Sequence, residues 1–354
     1  MTYRGKTLKE GEDYEVKYNE NKDPGKGSIL VYGINRYGGD KELEFDIADG
    51  SVFEGKDMVR FAGDTRYETA LKTADALKKS LKVDKFSDII VADGNNYPDA
   101  LAGSYLAKVK NAPLILVDRS VASEEVIGGY IKKNLEAKGT VYLLGGKDVV
   151  TERFEKSLKG TNVKRLAGDT RYETNLEILN EAKASKEDLL ACTGEGFADS
   201  LSASAVGKPI LLVDNRGLME NQKTYLNKAD VQDIYLIGGA DVVSDKVGKQ
   251  LKAYDKNSKV ERVAGSNRYK TSVEVAKTFF PNKCDTAVLA YGMKFPDGLA
   301  GGPLAISLKA PLLLVEDTAY ADAREYGKTA GLKKLAALGG QDVISDKTVK
   351  LVVQ

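Results

Sequence analysis

Histidine is absent from the 354 residues. That removes the side chain most used as a general acid or base and as a transition-metal ligand. Ser-His and Cys-His nucleophiles are excluded with it, and only a Ser-Lys arrangement stays open. Cysteine is nearly absent too: Cys192 and Cys284 stand alone, so no CxxC zinc pair exists. They are expected as free thiols near strands rather than as a disulfide. No apolar run approaches the ~20 residues of a membrane helix. Met1-Thr2-Tyr3-Arg4 opens without the apolar stretch of a signal peptide, so a secreted protein would be represented here by a mature part or a fragment. No charge of one sign prevails: 53 Lys plus Arg face 52 Asp plus Glu. This lacks the basic excess of a nucleic-acid binder, although a local basic groove is compatible with it. The G-x-G-x-x-G dinucleotide fingerprint is missing as well, because Gly194-Glu195-Gly196 runs on into Phe-Ala-Asp. No cofactor and no metal is expected.

What is present is a repeat. RFAGDTRYET at 60–69 returns as RLAGDTRYET at 165–174 and RVAGSNRYKT at 262–271. GNNYPDALAG (94–103) returns as GEGFADSLSA (194–203) and GMKFPDGLAG (292–301). APLILV (112–117) returns as KPILLV (208–213) and APLLLV (310–315), and VYLLGGKDVV (141–150) as IYLIGGADVV (234–243) and LAALGGQDVI (335–344). A period of roughly a hundred residues is too long for a solenoid unit, so each copy carries its own small core. The boundaries expected are 59–163, 164–260 and 261–354.

Within copy one, SDIIVAD ends a buried strand at Gly94, and Pro98 opens a helix through Lys110. Leu114 to Val117 is a strand, and residues 123–138 read as an amphipathic helix closed by Gly139. VYLLGG is a third strand, a helix runs from about Thr151 to Lys159, residues 163–167 form a strand, and a helix begins copy two. Continuous apolar strands alternating with helices mean a parallel sheet covered on both faces. The fold class is therefore α/β: three Rossmann-like parallel-sheet units. Residues 1–49 differ. EVKY, SILVY and ELEFDI, separated by turn formers such as NENKDPGKG and GINRYGG, predict a small all-β module. Residues 50–58 read as a linker.

The polar blocks all follow apolar strands, so they gather at the carboxyl edge of each sheet, where open α/β folds hold ligands. Much of the pattern is helix capping. Thr65 with Glu68 and Thr170 with Glu173 fit a capping box, and Asn267 keeps the cap without the Glu. Pro98 fits the first helical position, with Asp99 near the helix dipole. Thr151, Ser244 and Ser345 read as further caps. Capping does not require the arginine that follows it in every copy, however. Arg66, Arg171 and Arg268 either pair with Asp99, Asp199 and Asp297 of their own copies or hold an anionic ligand beside free helix amides. The candidate ligand-binding set is those six residues with Tyr67, Tyr172 and Tyr269. Leu114, Ile115 and Leu116, with Ile210, Leu211, Leu212, Leu312, Leu313 and Leu314, are core or line the ligand.

These four blocks, together and in order over residues 59–354, resemble the type 2 cell-wall-binding repeat of Gram-positive surface proteins. The resemblance implies three Rossmann-like or Toprim-like units in a pseudo-threefold ring. It also implies non-covalent anchoring, outside the cell, to an anionic secondary cell-wall polymer, often in S-layer-associated proteins. Copy two departs from the pattern at Ala198-Asp199-Ser200 and copy three at Ser266-Asn267 and Lys270, so the copies are not expected to bind equally. LKEGEDYEVKY, GKGSILVYG and RYGGDKELEFDI resemble the short Ig-like repeats of similar proteins. The expected role is that of a non-catalytic anchor with a cell-wall polysaccharide as partner, without nucleic acid or membrane insertion. Two alternatives remain: a lattice protein binding other surface-layer subunits, and a wall-sugar hydrolase, which would need two unlike carboxylates at a defined separation.

Overall fold

The computed structural model describes residues 2–18, 25–47, 51–281 and 284–354. The chain divides into two compact units, Met1–Lys56 and Asp57–Gln354. The first is antiparallel β. Strands β1 (Thr2–Tyr3) and β2 (Lys6–Thr7) pair with each other, while β3 (Tyr14–Tyr18), β4 (Gly25–Gly33) and β5 (Asp40–Ile47) form a meander with β4 central. EVKY, SILVY and ELEFDI are thus strands, and residues 19–24 of the turn-rich stretch lie outside the described residues.

The second unit repeats one strand-helix series three times. The first series is β6 (Met58–Phe61), α1 (Arg66–Leu81), β7 (Phe86–Asp93), α2 (Pro98–Lys110), β8 (Leu114–Val117), α3 (Val121–Asn134), β9 (Leu135–Leu144) and α4 (Glu152–Ser157). The second is β10 (Asn162–Leu166), α5 (Arg171–Glu181), β11 (Leu189–Thr193), α6 (Ala198–Ala203), β12 (Ile210–Val213), α7 (Glu220–Ala229), β13 (Ile234–Ile237) and α8 (Asp245–Leu251). The third is β14 (Val260–Val263), α9 (Arg268–Phe279), β15 (Thr286–Tyr291), α10 (Gly301–Ser307), β16 (Leu312–Val315), α11 (Ala321–Ala330), β17 (Lys334–Leu338) and α12 (Asp346–Leu351).

Three four-stranded parallel sheets result, ordered β8-β7-β9-β10, β12-β11-β13-β14 and β16-β15-β17-β6. The sheet unit is offset from the sequence period by one strand. Each sheet takes its fourth strand from the start of the next copy, and the third takes β6 from the start of the first. The unit is a closed ring as a result. The helices repeat the cycle: α2 packs on α5, α6 on α9, and α10 on α1. Three equivalent heterologous joints close because the third returns to the first. The LILV, ILLV and LLLV strands β8, β12 and β16 are buried throughout, with no residue above 1% exposed among their three candidate positions. They are core, covered on both faces, and do not line a groove. Cys192 on β11 is a buried free thiol and Cys284 a half-buried one.

One helix boundary differs from the expectation. The helix expected over 123–138 stops at Asn134, and Leu135 already pairs with Phe86 before the register breaks and resumes at Asp88 with Thr140. Asn134 is buried, with its side chain between the Lys78 ammonium (2.6 Å) and the Tyr130 carbonyl (3.0 Å), and that fixes the turn into the strand. Gly139 does not cap a helix. It lies where a Cβ would come within 2.6 Å of the Ser87 carbonyl and the Leu135 side chain. The capping box also holds in one copy only. Thr170 and Glu173 complete it, whereas the Glu68 carboxylate accepts from the Asp64 amide, one residue before the Thr65 cap. The caps at Thr151, Ser244 and Ser345 are formed.

The first arginine of each RFAGDTRYET-type block secures the borrowed strand. Arg60 on β6 donates to the carbonyls of Gly339 (2.7 Å) and Ile344 (2.8 Å) and to Asp346 (2.6 Å). Arg165 reaches Gly145 (2.7 Å) with Glu155, and Arg262 reaches Gly238 (2.8 Å) with Asp245. Removing Arg60 strands several acceptors, so Arg60→Ala is expected to cost about 2–3 kcal/mol. Thermal unfolding checks this; an unchanged melting temperature would show that β6 is held by its backbone ladder alone.

Candidate functional site

In each sheet the strand order reverses direction around β7, β11 or β15, and the crevice of such a fold lies at the carboxyl ends of the strands on either side of that switch. Here the two flanking segments are the GNNYPDA-type turn and the LGG turn. Gly145, Gly238 and Gly339 adopt φ of +96°, +108° and +94°, a left-handed conformation that suits glycine. Glycine is needed there a second time. An added Cβ would meet the carboxylate of Asp99 at 2.5 Å, of Asp199 at 2.5 Å and of Asp297 at 2.7 Å. Each aspartate is thus folded back from its helix start onto the LGG turn of its own unit.

The second arginine of the block enters from the neighbouring unit. Asp99 faces Arg171, Asp199 faces Arg268 and Asp297 faces Arg66. This corrects the expected pairing within a copy: the arginine whose charge acts on each aspartate comes from across the joint, without a direct ion pair, because the arginine helix starts at the end of the strand lent to the neighbouring sheet. Each guanidinium meanwhile donates to a carbonyl of its own unit, Arg66 to Gly94 (2.7 Å), Arg171 to Gly194 (2.5 Å) and Arg268 to Gly292 (2.8 Å). The arginines therefore span the joints. All three are half-buried.

The tyrosines do something else. The rings of Tyr67, Tyr172 and Tyr269 lie against Gly94, Gly194 and Gly292, where a Cβ would come within 2.6, 2.6 and 2.3 Å of the ring. They wedge the helix start against the strand end within one unit, and burial raises each phenol above its usual range. Tyr172 donates to Glu195 at 2.9 Å. The threonine that ends RYxT carries a contact that the motif alone did not reveal. Thr69, Thr174 and Thr271 are buried and accept from the amides of Gly63, Gly168 and Gly265, each at 3.1 Å. Thr69 and Thr271 also lie near Asp297 and Asp199 across the joint, where their hydroxyls favour the charged carboxylate. The signal was in view, since the residue recurs in all three copies.

A cleft opens at each joint, and the three are unequal. Between units one and two it holds about 240 Å³, with Arg171 among Asp93, Asp99, Asp148 and Asp169. Arg171 also stands 3.6 Å from Glu195. Between units three and one it holds about 610 Å³, with Arg66 and Lys294 facing Asp64, Asp297 and Asp342. Between units two and three it holds about 1000 Å³ and gathers Arg66, Arg268 and Lys294 against Glu195, Asp199 and Asp241. Among the described residues, each of the three clefts thus mixes cations with carboxylates rather than forming a plainly basic groove. Burial pushes the Asp99 carboxyl up to about 6, against the opposing pull of Arg171, and raises Asp199 and Asp297 above the usual carboxylate range.

The family model for cell wall binding domain 2 (CWB2) matches residues 60–155, 165–248 and 262–349. The N-acetylmuramoyl-L-alanine amidase LytC of Bacillus subtilis (strain 168) is 24% identical over 308 residues, covering 85% of this chain and 58% of that protein. The amidase enhancer of the same organism is 29% identical over 292 residues, 81% of this chain and 39% of that protein. The chain thus spans about half the length of these curated relatives. Among solved structures, Cwp8 from Clostridium difficile superposes with a TM-score of 0.74 at 24% identity, over 96% of this chain and 63% of that one.

A raised carboxyl has a definite sign in stability. The neutral form of Asp99 is favoured by folding, so its contribution is complete below the unfolded value of about 4 and is lost as pH rises through about 6. Asp99→Asn should remove that loss. Denaturant midpoints of parent and variant are expected to diverge between pH 4 and 6.5, with the variant relatively more stable at the upper end; parallel curves would contradict the burial account.

Proposed function

Because the chain belongs to the cell wall binding domain 2 family and carries that domain three times over, we propose that its inter-unit clefts hold an anionic polysaccharide of the Gram-positive wall and so anchor a secreted surface protein. Wall binding itself follows from the family. The observation that carries the finer reading is that an arginine and a half-buried aspartate line the same cleft at every joint. An arginine already fixed by a glycine carbonyl presents its remaining N–H groups without further loss of side-chain freedom, which suits phosphate or carboxylate. The carboxylates beside it are acceptors for sugar hydroxyls. The alternation of signs fits a polymer that is both hydroxylated and charged better than it fits a plain polyanion.

The module is read as non-catalytic, and amidase activity remains a property of LytC. A hydrolase would share the raised Asp99 carboxyl, but Asp199 and Asp297 are shifted in the same direction by the same cause, burial at the turn. No helix among the described residues is long and apolar enough to cross a membrane.

Pull-down on purified walls, before and after chemical removal of the anionic polymer, tests the reading. Binding should vanish with the polymer, and no soluble sugar should be released during incubation. Retention on stripped walls would point to peptidoglycan or protein instead. Salt should weaken binding with a log–log slope of only about −1 to −3, because few cations are free of a carboxylate neighbour. Arg66→Gln and Arg268→Gln should each weaken binding about tenfold, corresponding to loss of one charge-assisted bond. Arg171→Gln should do less, because Glu195 already neutralises it. Binding is to be scored per folded molecule, since each variant also loses a bond to a glycine carbonyl; equal loss at all three positions would contradict the unequal clefts.

A further inference from the structure

Tyr97, Phe197 and Phe295 come from three different units and meet in one cluster. Their ring centroids are 6.1 Å (Tyr97–Phe197), 5.5 Å (Tyr97–Phe295) and 5.6 Å (Phe197–Phe295) apart, in tilted or edge-to-face arrangement. Each stands immediately before the Pro-Asp or Ala-Asp of its copy. Three mutually contacting residues at equivalent positions of a cyclic triplet lie on its axis, at the carboxyl edge where the clefts converge. All three remain half-buried.

Local structure does not ask for aromatic side chains here. The carbonyls of Tyr97, Phe197 and Phe295 accept the first helical-type bonds, from Leu101 (3.0 Å), Leu201 (2.7 Å) and Leu299 (3.2 Å). This is a capping position, which favours Ser, Thr, Asp or Asn, and neither Tyr97 nor Phe197 makes a side-chain cap. The capping bond is given up for ring packing at the axis. That packing would be satisfied by fully buried aliphatic residues, yet the rings stay partly open and line the largest cleft, the one of about 1000 Å³ between units two and three. Arg268 lies over the Phe197 ring at 5.5 Å, and Arg66 and Lys294 line the same cavity.

We propose that this aromatic triad is the platform on which one sugar ring of the anionic wall polymer stacks, with Arg66 and Arg268 taking the anionic substituent beside it. The axial site is the principal subsite, and the smaller clefts hold the chain on either side. Apolar C–H faces of a pyranose against aromatic rings, with guanidinium groups at the rim, satisfy both halves of a charged saccharide. Neutral residues of the polymer would stack without the charge contact, and inorganic phosphate would find the arginines but not the rings. The inference rests on the reading of the clefts as the polymer site.

The chain contains no tryptophan, so Phe295→Trp places a single indole in the triad, and Tyr18→Trp, in the N-terminal unit, serves as the control outside the triad. The probe is the soluble polysaccharide released from purified Gram-positive walls by mild acid. Saturable change in the emission of F295W, with none in Y18W, is expected. The triple variant Y97L/F197L/F295L keeps apolar packing while removing the π faces. It should bind at least tenfold more weakly at unchanged far-UV circular dichroism. The three single leucine variants are measured in parallel, so loss of the fold in the triple still leaves proteins in which a several-fold weakening is read. Leucine variants that bind like the parent, while R66Q/R268Q loses binding, overturn the platform and leave the cleft reading intact. If R66Q/R268Q also binds like the parent, both fail.

Discussion

Every sheet in the large unit is one strand short within its own sequence period, and the rest of the structure depends on how that strand is supplied. The donor is always the next copy, and the ring closes because β6 returns to β17. A parallel strand contributes a full ladder of backbone hydrogen bonds and one buried face, so no copy can complete its sheet without a neighbour. The joint is therefore part of the core rather than an interface laid on finished domains. The same strand carries the arginine helix with it. Placing that helix against the adjacent sheet puts the LGG turn and Pro-Asp turn of one unit opposite the capped helix start of another, which is how a cleft arises at each joint.

Two arginines per period then do different work. Arg60, Arg165 and Arg262 bind the carbonyls of the LGG turn and lock the borrowed strand. Arg66, Arg171 and Arg268 satisfy a carbonyl at the end of the first sheet strand and look across the joint at a raised aspartate. A carboxyl raised by burial is an energetic liability at neutral pH. Its recurrence at all three joints is understandable if arginine and aspartate are placed there for something that enters the cleft. The tyrosines, by contrast, need no ligand: they fill the space over a glycine, and their contact explains both the aromatic and the glycine.

Much of this was legible in the sequence for definite reasons. Four ordered blocks in three copies fixed the period, and continuous apolar runs such as LILV and LLLV could only be strands buried on both faces. The carboxyl-edge position of the motifs followed from strand order along the chain. The helix end at Asn134 was not legible, because Glu136 and Lys138 prolong an amphipathic pattern while the side-chain bonds of Asn134 end the helix. Pairing of Arg66 with Asp99, one of the two readings that a single period leaves open, puts the arginine beside the wrong aspartate, because nothing local announces that a strand is lent to the neighbour. The role of Thr69 and the meeting of Tyr97, Phe197 and Phe295 depend on the ring itself. Residues so far apart in sequence become neighbours only through threefold closure, a property no single period contains.

Divergence among the three copies separates what the fold requires from what the clefts require. The LGG glycines, the Asp folded onto them, both arginines, the Tyr and the RYxT threonine stand in every copy. The residues that differ sit at the cleft rims: Asn95, Glu195 and Met293 occupy one position, and Asn96, Gly196 and Lys294 the next. Glu195 neutralises Arg171 beside the smallest cleft, whereas Lys294 adds charge to the two larger ones. Drift at the rims, over shared turn glycines, aspartates and arginines, is what a multivalent anchor tolerates. Once one cleft holds a long polymer, the others act on it at high effective concentration, so even weak contacts multiply the overall affinity. On the proposed reading of the clefts, three moderate and unequal sites retain a protein on a wall that a single site of the same strength would release, and the frame has only to keep them within reach of one chain.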